Sequence, residues 1–207
     1  MKGILLKIQE GKSKKGFQPI EEFGIYRRNL PHWEGPGHLY FITFRTYQDF
    51  ILPEEARQIV LNSCKFHNNK KYDLYTCVVM PDHIHLILQP LEKRVGAFYS
   101  IAEITHSIKS YSAKQIINLF YKSYPVFHRQ DACDTEIEDA RVTKRKAGRT
   151  GVSPVKKIWL GESFDRIIRD ENELLEKINY IINNPVKKGL VEKPEDYKWL
   201  IIKGWLE

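Results

Sequence analysis

Apolar residues along the chain change their spacing several times, and each change marks an element. His38 to Thr46 is an aromatic and β-branched run, which predicts a first strand. From Pro53 to about His67, Ala56, Ile59, Val60 and Cys64 recur at helical spacing. A proline stands at the first turn, and Glu54 and Glu55 lie near the positive end of the helix dipole. Tyr72 to Val79 is again strand-like, and Met80-Pro81-Asp82 leads directly into another apolar run ending near Pro90. Two strands joined by so short a connection should pair antiparallel. A longer helix is predicted from about Gly96 to Tyr121, with Ile101, Ile104, Ile108, Ile116 and Phe120 toward the core, followed later by a short strand over Phe164 to Arg169. The last helix runs from Asp170 to Asn184. Asp170 and Glu173 make a capping-box-like start, Leu174, Leu175, Ile178, Ile181 and Ile182 form one apolar arc, and Pro185 is expected to stop it. Strand, helix, strand, strand, helix, strand is the order of a split βαβ, ferredoxin-like sandwich. The expected class is therefore α+β, an antiparallel sheet with helices on one face. Such a fold hosts many activities and decides none.

Composition bounds the rest. The 207 residues are 42% hydrophobic, enough for one core. A single domain is expected over 26–207, preceded by a loose Lys- and Gly-rich arm over 1–25. Between 130 and 156 acids give way to bases with almost no apolar periodicity, which reads as a disordered insertion. No stretch approaches the roughly 20 apolar residues of a membrane span, and Ile4 to Leu6 is too short for a signal peptide core, so a cytoplasmic protein is expected. Cys64, Cys77 and Cys133 lack metal spacing and read as reduced thiols. The net charge of +7 favours a polyanionic partner, nucleic acid or an acidic membrane surface, but is weak support alone.

The chemistry concentrates in two places. His83 and His85, one residue apart on a strand, leave the same face while Ile84, Leu86 and Leu88 leave the other. Same-face neighbours are roughly 6–7 Å apart at Cα, so both imidazoles can reach one divalent ion. Structural, hydrogen-bonded histidines are the plainer alternative. On the last helix, Tyr180 lies nearly opposite the apolar arc, with Glu173, Lys177 and Asn184 on the same polar side. Tyr180 and Asn184 are an i, i+4 pair and hence surface neighbours. A tyrosine there is ordinarily a surface residue; beside a histidine-bound metal it would be a nucleophile, with Asn184 supplying an oxygen ligand. Tyr111, a rival nucleophile, reads as packing beside Ile104 and Ile108.

The run Met80-Pro81-Asp82-His83-Ile84-His85-Leu86, followed by Tyr180-Ile-Ile-Asn-Asn-Pro-Val-Lys-Lys-Gly189, resembles the single-tyrosine HUH (IS200-like) transposases. Among these it is most similar to the REP-associated tyrosine transposases. Leu30 to Trp33, Tyr40 to Arg45, Ile108-Lys109, Trp159 and Ser163 to Arg166 extend the resemblance over roughly 26–199. It implies a metal-dependent enzyme that cuts and rejoins single-stranded DNA, often at hairpins, through a 5′-phosphotyrosine. His83 and His85 then match the metal-binding pair and Tyr180 the catalytic tyrosine. Asn184 stands where related enzymes carry a glutamine, which keeps an amide oxygen on a shorter arm. Trp159-Leu160-Gly161 departs from the usual Trp-Gln, and the 130–156 insertion is longer than usual. Imidazole and amide donors suit Mn²⁺, with Mg²⁺ a poorer match. Lys177 is a candidate activator of Tyr180, and Lys109, Lys114, Arg94 and Lys177 are candidates for DNA contacts, against the plainer reading of solvated charges. No Walker-type phosphate loop occurs. A monomer is expected, with a dimer exchanging its tyrosine helices as the other arrangement. Two further readings stay open: a non-catalytic single-stranded nucleic-acid-binding module, and a metal phosphoesterase using water.

Overall fold

The computed structural model describes residues 24–27, 31–34, 37–123 and 157–203. The expected arm up to residue 23 and the whole expected insertion, 130–156, lie outside the described residues. Strands β1 (Gly24–Arg27) and β2 (Pro31–Glu34) pair as an antiparallel hairpin. The central sheet is built from β3 (Tyr40–Arg45), β4 (Tyr72–Val79), β5 (His83–Pro90), β8 (Phe164–Ile167) and β9 (Leu200–Ile202). Its order is β8-β3-β5-β4-β9, antiparallel throughout. With α1 (Glu54–Phe66) and α2 (Ile101–Ser123), the first four of these strands complete the split βαβ order, and β9 adds an edge beside β4. Strands β6 (Glu92–Arg94) and β7 (Ala97–Phe98) form a small exposed hairpin, and α3 (Glu171–Lys187) follows β8. No helix among the described residues is long and apolar enough to cross a membrane.

Two boundaries differ from the sequence-based expectation. Gly96, expected to open the second helix, sits at φ +76° in the β6–β7 turn. The helix begins instead at Ile101, where the Ser100 hydroxyl accepts a bond from Glu103 N at 3.1 Å, a serine cap. Pro185 does not stop α3. It lies in the last turn, and its own carbonyl accepts from Leu190 N at 2.9 Å while Val186 O accepts from Gly189 N at 2.9 Å. With Gly189 at φ +67° this is a Schellman ending, which closes the helix one turn later than the proline. The N-terminus follows expectation: Asp170 accepts from Glu173 N, and Glu173 accepts in return from Arg169 N.

The expectation of helices on one face holds for α1 and α2 and fails for α3. By alternation and register, Ile42, Phe44, Ile84, Leu86 and Leu88 share one face, and Phe41, Thr43, His83, His85 and Ile87 the other. Tyr72 donates to the Cys64 carbonyl of α1, and Lys109 of α2 lies over the Phe44 ring, so both helices cover the first face. Helix α3 crosses the second, with Tyr180 against Phe41 and His85. The cause is apolar surface on both sides of the central strands: every residue of β5 except Gln89 is buried, which one helical layer cannot achieve. A bulge at Tyr75 resets β4 so that Val78 pairs with His85 and presents apolar surface to α3 as well.

Candidate active site on the third helix face

His83 and His85 emerge side by side from β5, with ring centroids 4.7 Å apart, and both are buried. Each has one ring nitrogen committed to a neighbour. The His83 Nδ1–H donates to Asp82 Oδ1 at 2.6 Å, and His85 Nδ1 shares a 2.7 Å hydrogen bond with Thr43 Oγ1 on the adjacent strand. Arg45 in turn donates to Asp82 Oδ2 at 3.2 Å. Hydrogen bonds of this kind fix ring orientation and tautomer, and Nε2 is then the atom that would ligate an ion. Burial lowers the His85 pKa to about 3, reinforced by the charge of His83, so the imidazole is neutral with a lone pair to offer. Burial works to raise the Asp82 pKa, but the bonds from His83 and Arg45 outweigh it and hold the carboxyl below its usual range.

Across from this pair, α3 brings the Tyr180 hydroxyl to 3.4 Å from His85 Nε2. Tyr180 leaves α3 on the side away from the apolar arc and turns its ring edge-on to Phe41 at 6.1 Å and to His85 at 5.1 Å, remaining 40% exposed. Phe41 is the floor, stacked on His85 at 5.6 Å and edge-on to Phe164. Lys177 Nζ lies 5.9 Å from the Phe41 ring and 2.9 Å from Glu176, and Lys187 Nζ lies 5.8 Å from the Tyr180 ring. One turn beyond Tyr180, Asn184 is buried, and its Oδ1 has no hydrogen-bond partner among the described residues. A buried acceptor left so costs about 1–3 kcal/mol. The feature that would offset this is a cation or a donor absent from the chain itself.

The donor set therefore fits a divalent ion: two imidazoles held through Nδ1, and an orphaned amide oxygen on the facing helix. No three His, Cys, Asp or Glu side chains converge to hold an ion among the described residues, and the Asn184 amide oxygen would be the third protein donor. The remaining expected residues lie elsewhere. Lys109, on the opposite side of the sheet, donates to Gly161 O at 2.9 Å, Glu162 O at 3.3 Å and Ser163 Oγ at 3.2 Å. The expected phosphate contact is thus a tie between α2 and the approach to β8. Lys114 is exposed on α2, and Arg94 is exposed in the β6–β7 hairpin. Tyr111, expected to pack against the core, is 56% exposed and stacks on Phe66. Trp159 is buried beside Phe44 and donates to Ser112. Sequence reasoning missed Thr43, Arg45, Asp82 and Lys187 as participants. Lys187 follows Tyr180 at i+7, a stripe visible in the sequence, whereas Thr43 and Arg45 meet the histidine strand only through sheet register.

Paired histidines on an antiparallel sheet, faced by a helix-borne tyrosine, are what the sequence resemblance to the single-tyrosine transposases implies. Residues 38–132 match the family described as "Transposase IS200 like". The match includes His83 and His85 and ends before α3. A Haemophilus influenzae protein named as a REP-associated tyrosine transposase is 26% identical over 181 residues, 84% of this chain and 82% of that one. The fold resembles the solved structure of a REP-associated tyrosine transposase bound to a REP hairpin, with a TM-score of 0.55 and 18% identity. That match covers 84% of this chain and 80% of the other.

Proposed function

We propose that the protein is a metal-dependent single-stranded DNA endonuclease and strand transferase acting at DNA hairpins, with Tyr180 as nucleophile and His83, His85 and Asn184 as metal ligands. The observation that carries the reading is the approach of the Tyr180 hydroxyl to 3.4 Å from His85 Nε2, beside His83 and across from the sheet. The family match over residues 38–132 and the REP hairpin in the solved relative support hairpin DNA as the substrate.

In the proposed step the Tyr180 oxygen attacks phosphorus, an Oη–P bond forms and the P–O3′ bond breaks. The product is a 5′-phosphotyrosine and a free 3′-hydroxyl. The phenolic proton lost equals the proton the departing 3′ oxygen gains, so the step is neutral overall. Conservation of one ester bond allows rejoining without a nucleotide. Phe41 and His85 hold the Tyr180 ring from two sides, and the ammonium groups of Lys177 and Lys187 lie near this ring system, where they would attract an incoming phosphate. Asp82 and Thr43 hold the two imidazoles in register. A divalent ion, Mn²⁺ or Mg²⁺, supplies neutralisation of the phosphate oxygens when bound.

The test is incubation of 5′- and 3′-labelled hairpin DNA with Mn²⁺ and wild-type protein or Tyr180→Phe, resolved on a denaturing gel. A protein–DNA adduct on the 3′-labelled fragment is expected from wild type, falling at least about a thousandfold in the variant and vanishing with chelator. Cleavage that survives Tyr180→Phe without an adduct would replace the transesterase with a phosphoesterase that uses water.

A further inference from the structure

The opposite face of the molecule carries an aromatic and basic surface that the active site does not use. Phe66, the last residue of α1, is 64% exposed, and Tyr111 of α2 is 56% exposed. Their rings lie parallel within 9°, with centroids 6.4 Å apart. His67 meets Phe66 edge-on at 4.8 Å and is itself held by the Ser107 hydroxyl, while Lys70 Nζ sits 4.9 Å over the Phe66 ring. Lys114 is exposed one turn beyond Tyr111 on the same side of α2. Neither aromatic contributes to the core, so the fold does not require a large ring at either position.

The two chain stretches that carry these rings hold charges of one sign. Ala56 to Tyr72 and Ile104 to Lys122 together contain six lysines and one arginine and no aspartate or glutamate. A chain with 26 acidic residues has thus kept all of them out of the two stretches that frame the patch. Elsewhere on the surface lysines are offset by carboxylates, as in Lys93–Glu103 and Lys177–Glu176. Flat apolar faces beside cations of uniform sign match the needs of unpaired nucleotides. Bases stack on aromatic rings, and the phosphates between them take the lysines. A protein partner would gain from the rings but would need an acidic surface. A duplex would use the charge and leave the rings idle.

We propose that Phe66 and Tyr111, with Lys70 and Lys114, form a second DNA-binding surface that holds unpaired strand flanking the hairpin, on the side of the sheet away from Tyr180. This rests on the assignment of hairpin DNA as substrate. The surface anchors the substrate and takes no part in the bond change.

The experiment is fluorescence anisotropy with the hairpin alone, the same hairpin with unpaired flanking nucleotides, and heparin, a polyanion without bases. Because both rings are exposed, Phe66→Ala/Tyr111→Ala is expected to fold normally. It should lose about 10- to 100-fold in affinity for the flanked hairpin, from one to two stacked bases, with no change for the bare hairpin or heparin. Lys70→Gln/Lys114→Gln should lower the salt dependence of flanked-strand binding by about 1.4 in log–log slope, two single-strand phosphates at about 0.7 each. Cleavage of the bare hairpin at saturation should match wild type in both variants. Unchanged affinity for the flanked hairpin overturns the proposal, as does an equal loss for all three probes. Loss of flanked-strand binding in a protein that forms no Tyr180 adduct would keep this surface and discard the catalytic reading. Adduct formation with unchanged binding would do the reverse.

Discussion

The two faces of the central sheet treat their polar groups in opposite ways. On the face covered by α1 and α2, polar atoms are used up by one another. Trp159 Nε1 donates to Ser112, whose hydroxyl donates to Ile108 O, Tyr72 donates to Cys64 O, and the Lys109 ammonium has three protein acceptors. Under α3 polar groups are anchored but not used up. His83 and His85 are each held through Nδ1, His85 Nε2 meets the Tyr180 hydroxyl at a long 3.4 Å, and on the facing helix Asn184 Oδ1 lacks a partner among the described residues. Satisfied groups hold a fold, whereas groups anchored at one end and unspent at the other are preorganised for something that arrives.

If that division is right, substitutions on the two faces separate chemistry from stability. The largest effect expected here is from His83→Ala. Loss of one imidazole should abolish cleavage, by about a thousandfold or more, while hairpin binding measured by anisotropy stays close to wild type. Full cleavage activity in that variant would remove the histidines from the chemistry.

Intermediate effects are expected from the residues that hold the rings. Asp82→Ala frees the His83 Nδ1–H from its 2.6 Å acceptor, and Thr43→Val removes the 2.7 Å partner of His85. Each should weaken Mn²⁺ affinity about 10- to 100-fold, the usual cost of losing an orienting partner. Asp82→Asn, which keeps an acceptor oxygen, should lose less. Titration of free Mn²⁺ by electron paramagnetic resonance reads this without reference to turnover. Equal Mn²⁺ affinity in all three variants and wild type would mean the histidines need no such support.

How much of this was open to sequence reading follows from which interactions are local. The pair His83 and His85, the Asp170 cap and the i, i+4 relation of Tyr180 to Asn184 depend on strand and helix periodicity alone, and they stand in the structure as periodicity predicts. Periodicity starts the next helix at Gly96, inside the β6–β7 hairpin, because Glu92 to Phe98 is too short to show alternation, with Gly96 and Ser100 as the available signals. Helix α3 outran Pro185 because the Schellman ending depends on Gly189, four residues on. Lys109 was misplaced and Thr43, Asp82 and Arg45 were overlooked for one reason: their partners are 37 to 54 residues distant or, for Asp82, chosen by a rotamer. Register, not local pattern, selects those contacts. The side of the sheet that α3 covers was hidden for the same reason.

The smallest expected effect on activity comes from the helix-pair face, and it sharpens the contrast most. Ser112 is fully buried and bridges Trp159 Nε1 at 3.0 Å to the Ile108 carbonyl at 2.7 Å. In Ser112→Ala the indole N–H loses its acceptor in a site that excludes water, which should cost about 1–3 kcal/mol of folding stability. Urea titration checks this as a lowered midpoint at unchanged slope. Yet Trp159 packs on Phe44, which points away from the histidines, while its neighbour Thr43 points toward them. Under conditions where the variant is folded, its cleavage rate at saturating DNA should therefore equal that of wild type. A fall in that rate beyond the unfolded fraction would show that the two faces communicate through β3, and that the indole helps to set the position of Thr43 and, through it, of His85.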